Sequence, residues 1–127
     1  MLVEHADYHD EQSLADCLDG GIFKYCTFKD FSLDGKEVDA VFLSCEMNGL
    51  DWYWGLFNCC LFVDTKFANC VFRGTNFADS RFLNCEFINC RFEDDNMRAP
   101  CRFEGAQWFG GTAVDCKGLP DYAFPAA

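Results

Sequence analysis

His5 and His9 are the only histidines in the chain, and they stand four residues apart in an acidic segment. On a helix that spacing would put both rings on one face, where they could hold a metal. The segment "HADYH" lacks the glutamate that makes such a pair a zinc-hydrolase motif, so no metal site and no cofactor are expected. The ten cysteines are the other reactive groups. A nucleophilic thiol or hydroxyl needs a histidine or comparable base beside it, and no histidine follows His9. There is no Cys-x-x-Cys pair and no glycine-rich phosphate loop. Vicinal Cys59–Cys60 reads as one corner residue beside one core residue rather than a redox pair. No catalytic residue is expected, and the chain is not read as an enzyme.

The cysteines follow a rule of position instead. From Ala40 to Phe92 the sequence repeats every five residues. One phase reads Phe42, Met47, Trp52, Phe57, Phe62, Phe67, Phe72, Phe77, Phe82, Phe87 and Phe92. Two places before each of these the residue is mostly small, and Cys45, Cys60, Cys70, Cys85 and Cys90 belong to that set, as do Cys26 and Cys101 in neighbouring units. At such a position free cysteine behaves as a compact hydrophobe. Two places after come Asp64, Asn69, Gly74, Asp79, Asn84 and Asn89, residues that tolerate tight corners. A strict five-residue phase fits neither the helical nor the strand period, so each unit must be a geometric copy of the last.

The run "CVFRGTNFADSRFLNCEFINCRFED" holds this phase unbroken and resembles the pentapeptide-repeat family. The resemblance implies an all-β fold, a right-handed quadrilateral β-helix in which four units of five make a coil of about twenty residues. The centre and the residue two before it would point inward and stack on their equivalents one coil away.

Three regions follow: an acidic N-terminal cap (1–20), the β-helix of about five coils (21–115) and a C-terminal tail (116–127). The cap would contain a short helix around Gln12–Leu18, ended by Gly20–Gly21, and would cover the backbone that a solenoid exposes at its end. The tail "KGLPDYAFPAA" is expected to fold over the last coil. Between Val38 and Phe42 the phase drops one residue, and after Met97 it gains one. With both slips allowed for, the first face stacks Phe23, Phe42, Phe62, Phe82 and Phe103, and the second Phe28, Met47, Phe67, Phe87 and Trp108. The third stacks Leu33, Trp52, Phe72, Phe92 and Ala113, and the fourth Val38, Phe57, Phe77 and Met97.

Charge narrows the partners. The net charge is −11, which disfavours nucleic-acid backbones and anionic membranes and suits a basic protein. Residues 1–20 carry acids and no Lys or Arg, and Asp7, Asp10, Glu11, Asp16 and Asp19 are candidates for steering such a partner. The N-terminal segment has no apolar run typical of a secretory signal, so a reduced, cytoplasmic protein is expected. Outward positions of the first face form an apolar stripe of Ile22, Val41, Leu43, Leu61, Val63 and Leu83. Exposed aliphatics in a row mark a protein contact, either with a foreign partner or in a homodimer. Tyr53 and Trp54 are taken as aromatic anchors for it.

The expected function is therefore inhibition by protein binding: a bacterial immunity protein that neutralises an interbacterial toxin, with a nuclease suiting the acidity, by covering its active groove. The family resemblance implies an alternative, a DNA-mimicking inhibitor or protector of DNA gyrase. About five coils at ~4.8 Å give a rod of roughly 20–25 Å, short of the ~34–36 Å of one DNA turn. A passive interaction scaffold is the third reading.

Overall fold

A repeat of five residues closes into a square only if the chain turns a corner once per unit. The computed structural model describes residues 1–14 and 18–124 and contains those corners. The residue two places after most ladder residues takes a left-handed backbone, with φ of 49° at Asp64, 54° at Asn69, 54° at Asp79, 52° at Asn84 and 51° at Asn89. Asn and Asp enter this region at low cost because their short side chains bond locally. Tyr25, Trp54 and Cys59 adopt it too, at 56°, 55° and 54°.

Between corners lie strands of about three residues with the centre buried and its neighbours turned outward. All pairing is parallel. The first face runs through Leu2–Glu4, Asp19–Lys24, Glu37–Leu43, Leu61–Val63, Arg81–Leu83 and Gln107–Phe109. The second runs through Asp7–Tyr8, Thr27–Lys29, Glu46–Asn48, Lys66–Ala68, Glu86–Ile88 and Thr112–Val114. The third comprises Ser32–Asp34, Asp51–Tyr53, Val71–Arg73 and Arg91–Glu93. On the fourth, Val38 pairs with Phe57, Leu56 with Asn76 and Asn76 with Arg102. The result is a β-solenoid of about four full turns, with a partial turn at each end.

The core is a set of aromatic columns. Phe23, Phe42, Phe62, Phe82 and Trp108 stack at centroid separations of 5.1, 4.9, 4.9 and 5.0 Å. Around each coil the same rings meet edge to face, as Phe62 does with Phe67 at 65° and Phe72 with Phe77 at 66°. Both arrangements are favoured by the ring quadrupole.

Two assignments made from the sequence change. The extra length near Met97 is six residues rather than one, since Phe77 stacks on Phe103 and Phe82 on Trp108, twenty-six positions on, where a regular coil has twenty. Met97 leaves the ladder and is 77% exposed. Phe103 therefore belongs to the fourth face, Trp108 to the first and Ala113, paired with Phe87, to the second. The cause is Asp95, whose carboxylate accepts the Met97 and Ala99 N–H groups at 2.8 and 2.9 Å and folds the segment into a self-contained loop.

The second change is at the N-terminus. Leu2–Glu4 pairs with Asp19–Lys24, and Asp7–Tyr8 with Thr27–Lys29, so the ladder begins well before residue 21. A helical turn at Glu11–Leu14 follows; of the expected helix around Gln12–Leu18, residues 15–17 lie outside the described residues. Leu14 and Leu18 are buried in the core. The residue dropped after Val38 appears as a register shift between Asp19 and Ile22, where Gly20 and Gly21 oppose Ala40. The tail folds as expected: Phe124 packs on Phe87 and Trp108, and the Tyr122 hydroxyl donates to the Phe103 carbonyl at 3.2 Å.

The small inward position has a second property. Its S–H or O–H donates to the carbonyl of a ladder residue one coil back, as Cys60 does to Val38 at 3.1 Å, Ser80 to Phe57 at 2.8 Å and Cys101 to Phe72 at 3.2 Å. Cys, Ser and Thr thus supply compact volume and a donor for a buried acceptor. Burial pushes the Cys45 and Cys85 thiols up to about 11 and that of Cys60 up to about 12. Gly55 fills the same position where the larger Trp52 replaces phenylalanine. A Cβ there would stand 3.3 Å from Trp52 Cε3 and 3.4 Å from Thr75 Cγ2.

That packing predicts a coupled pair. Gly55→Ala is expected to cost about 1–3 kcal/mol by overpacking, and the cost should shrink when Trp52 is also changed to Phe. Denaturant unfolding of the four proteins in the cycle measures this, and an undiminished cost would put the strain elsewhere. Thiol reactivity gives a second check. Iodoacetamide at about pH 8 should alkylate exposed Cys59 and leave Cys45, Cys60, Cys85 and Cys101 unmodified in the folded protein, because raised thiols stay protonated there. Peptide mapping reads the pattern, and comparable labelling of Cys60 and Cys59 would contradict it.

Candidate protein-binding face

On a three-residue strand whose centre points inward, the first and third residues point outward, so each face carries two outer columns along the rod. On the first face one column reads Leu2, Ile22, Val41, Leu61, Arg81 and Gln107. The other reads Glu4, Lys24, Leu43, Val63, Leu83 and Phe109. Each contains four consecutive aliphatic or aromatic residues. The two runs overlap at Val41 with Leu43 and at Leu61 with Val63, so the apolar patch crosses the face obliquely, with Lys24 and Arg81 beside it. Leu2 is 55% exposed and Phe109 53%, and the residues between them are half-buried or, like Ile22, exposed.

Val41, Leu43, Leu61, Val63 and Leu83, expected to lie together, do so. Leu2 and Phe109 were missed. The five-residue phase does run back from Phe23 through Leu18 to Tyr8 and Val3, which was the signal for Leu2. Phe109 was hidden by the misplaced insertion, which had put Trp108 on another face.

Tyr53 and Trp54 are not part of the patch. Tyr53 belongs to the third face and Trp54 to the corner after it, on the opposite side of the rod. The Trp54 indole N–H donates to the Asp95 carboxylate and the Tyr53 hydroxyl to Asn96, so both hold the inserted loop. The Ala99 N–H and then Trp54 keep the Asp95 carboxyl below its ordinary range. That loop presents Met97 at its tip on a fixed backbone.

The N-terminal acids are dispersed among structural roles. Asp7 accepts from the Thr27 hydroxyl. Asp10 accepts the Ser13 N–H at 2.8 Å and the Ser13 hydroxyl at 2.7 Å, which cap the helical turn and hold its carboxyl low. Glu11 pairs with Lys36 at 2.9 Å. Asp16 lies outside the described residues. Asp19 borders the patch, in register with Asp39. The sequence reading had not singled out the other acids at its margins: Asp79 at the corner entering the first face, Asp64 at the corner leaving it, and Glu46 and Glu86 at the start of the second. The third face carries ion pairs of its own, with Arg73 beside Asp51 and Arg91 beside Glu93, both at 3.7 Å.

Among the described residues no group of three His, Cys, Asp or Glu could hold a metal, and no helix is long and apolar enough to cross a membrane. His5 stacks on Tyr25, centroids 5.1 Å apart.

One comparison with known families agrees with this geometry. Residues 57–94 match the family model for pentapeptide repeats, in eight copies. No curated protein matches the chain. Among solved structures, two trypsin-treated variants of QnrB1, a plasmid-mediated fluoroquinolone resistance protein, align over 91% and 89% of this chain. Both share 16% identity, with TM-scores of 0.47 and 0.44. The chain spans about half the length of those structures, 53% in each case. Residues 57–94 are thus eight pentapeptide repeats, and the same corner, centre and small-residue geometry continues on either side of them in a quadrilateral β-helix.

Proposed function

We propose that this protein is a non-enzymatic inhibitor that acts by binding another protein, and specifically that it is a cytoplasmic immunity protein neutralising a basic interbacterial toxin. The observation that carries the reading is the first face. A rigid surface presents eight apolar side chains in two columns, with carboxylates at its margins and no reactive group among them. The apolar patch would supply the desolvated centre of an interface and the acids its rim. The net charge of −11 would speed encounter with a basic partner and make the association rate fall with salt. A nuclease groove, shaped for a polyanion, is the kind of surface such a protein would cover.

The alternative reading, a mimic of DNA directed at gyrase, finds less support in the geometry. The first face has six strands, hence five spacings, about 24 Å along the rod, against ~34–36 Å for a turn of duplex. Lys24 and Arg81 interrupt its negative charge on the first face, and Arg73 and Arg91 on the third.

The test is a complex with the product of the neighbouring gene, or with the protein that co-purifies from the native cell. A tight one-to-one complex is expected. Leu61→Glu with Val63→Glu should weaken it by at least about tenfold, several such steps being common for a hot-spot change, while the far-ultraviolet signal of the β-helix is retained. An unchanged complex would remove the first face from the interface. Purified gyrase provides the counter-test, because inhibition of supercoiling at micromolar protein would favour the DNA-mimic reading instead.

A further inference from the structure

The first face also constrains what can sit on it. We infer that the partner presents an amphipathic α-helix of about sixteen residues, basic along its flanks, which lies obliquely over the two apolar columns. The inference rests on the protein-binding reading above.

Strand addition is closed to a partner along this face. Apart from the terminal strands Leu2–Glu4 and Gln107–Phe109, every strand has a paired neighbour on both sides. A partner must therefore bring an apolar surface whose own backbone is already hydrogen-bonded, which means a helix or the face of another sheet. The surface itself is furrowed. Centre residues Phe23, Phe42, Phe62 and Phe82 point inward, so between the two outer columns, about 7 Å apart, runs a trough floored by backbone. A single ridge of helix side chains fits a trough of that width. The patch extends over five spacings, about 24 Å, which a helix covers in about sixteen residues at 1.5 Å each.

Charge selects the flanks of that helix. Asp19, Asp39 and Asp79 follow one margin of the patch, while Asp64, Glu46 and Glu86 lie toward the other with Lys66 between the two glutamates, so the balance on both sides favours Lys or Arg beside the apolar ridge. Lys24 and Arg81 sit at diagonally opposite positions on the face and confine the ridge to the oblique path between them. A second copy of this chain is the wrong occupant. It would bring acidic margins toward acidic margins and a net −11 against −11, and its own furrowed face offers no single ridge.

A synthetic peptide of about eighteen residues tests this, with leucines at positions i, i+3, i+4 and i+7, lysines on both flanks, and a control of equal composition with the leucines scattered. Fluorescence anisotropy at physiological salt should show micromolar binding of the amphipathic peptide, together with a gain of helical circular dichroism. Leu61→Glu with Val63→Glu should weaken it at least tenfold, and Ile88→Glu on the second face should leave it unchanged. If the double variant loses its β signal, Leu61→Ser takes its place with a smaller expected loss. Equal binding of the scattered control, or no effect of the first-face changes, overturns the inference. So does a native partner that needs Leu61 and Val63 while the peptide fails to bind, and in that case the protein-binding reading survives. If neither partner nor peptide responds to those changes, both fall. Sedimentation showing a dimer that the double variant converts to monomer would assign the face to a second copy and also overturn it.

Discussion

Everything in this molecule follows from turning a corner in every five residues. The corner spends one residue on a left-handed backbone, a region that most side chains enter only against a cost. What remains between corners is a strand of three residues with one inward centre, plus a small residue that must fit where two faces meet. That parity decides the core, because only the centre and the small residue reach it. It decides the surface as well, because the two residues beside each centre have nowhere to point but out. Two outer columns per face and one inner column are thus consequences of the same backbone event. Parallel register then carries each column from coil to coil without drift, as in Phe23 to Phe42 to Phe62 to Phe82.

The same parity explains what was legible in the sequence. Large residues at one phase and small ones two places earlier gave the coil, the aromatic columns and the inward cysteines, because each unit repeats one steric requirement. Corners could be read where Asn, Asp or Gly marked them. At Tyr25, Trp54 and Cys59 the residue type gives no such mark, and only the five-residue phase places the corner, as it did for Cys59. Met97 misled because it happens to fall in phase. What removes it from the ladder is a set of hydrogen bonds to Asp95, and a hydrogen bond across a loop has no period. The donors on the small residues were equally hidden. Cysteine was read for its volume, and its reach to a carbonyl one coil back depends on register rather than on any neighbour in sequence.

Of the candidate binding residues, those on the first face could be found because parity alone assigns them. Tyr53 and Trp54 could not be judged that way. Aromatic, outward and adjacent, they have the composition of interface anchors, yet their polar atoms are committed to the inserted loop. The N-terminal acids show the same limit. Composition groups them as a charged patch, whereas the fold gives Asp10 to a helix cap, Glu11 to Lys36 and Asp7 to Thr27. The useful carboxylates at the margin of the face come instead from corners far apart in sequence, including Asp39, Asp64 and Asp79.

An outward aliphatic on a β-strand has a simpler explanation than binding, since β-branched and large apolar residues favour strands wherever they occur. That explanation would act alike on every face, because all are built from the same three-residue strands at the same spacing. The outer columns of the other faces instead carry Glu46, Lys66 and Glu86, or Asp51, Arg73, Arg91 and Glu93, in ladders of equal regularity, with one shorter apolar run of Ala68, Ile88 and Val114 on the second. Strand geometry therefore imposes no need for apolar residues outside, and solubility opposes them. Eight such residues in two continuous columns on one face, against three in one column on the second, thus reflect a demand made chiefly on that face. The chain's own described tail is folded over the end of the rod, against Phe87 and Trp108, and does not meet that demand. Under the proposed protein-binding function, that demand is the partner's.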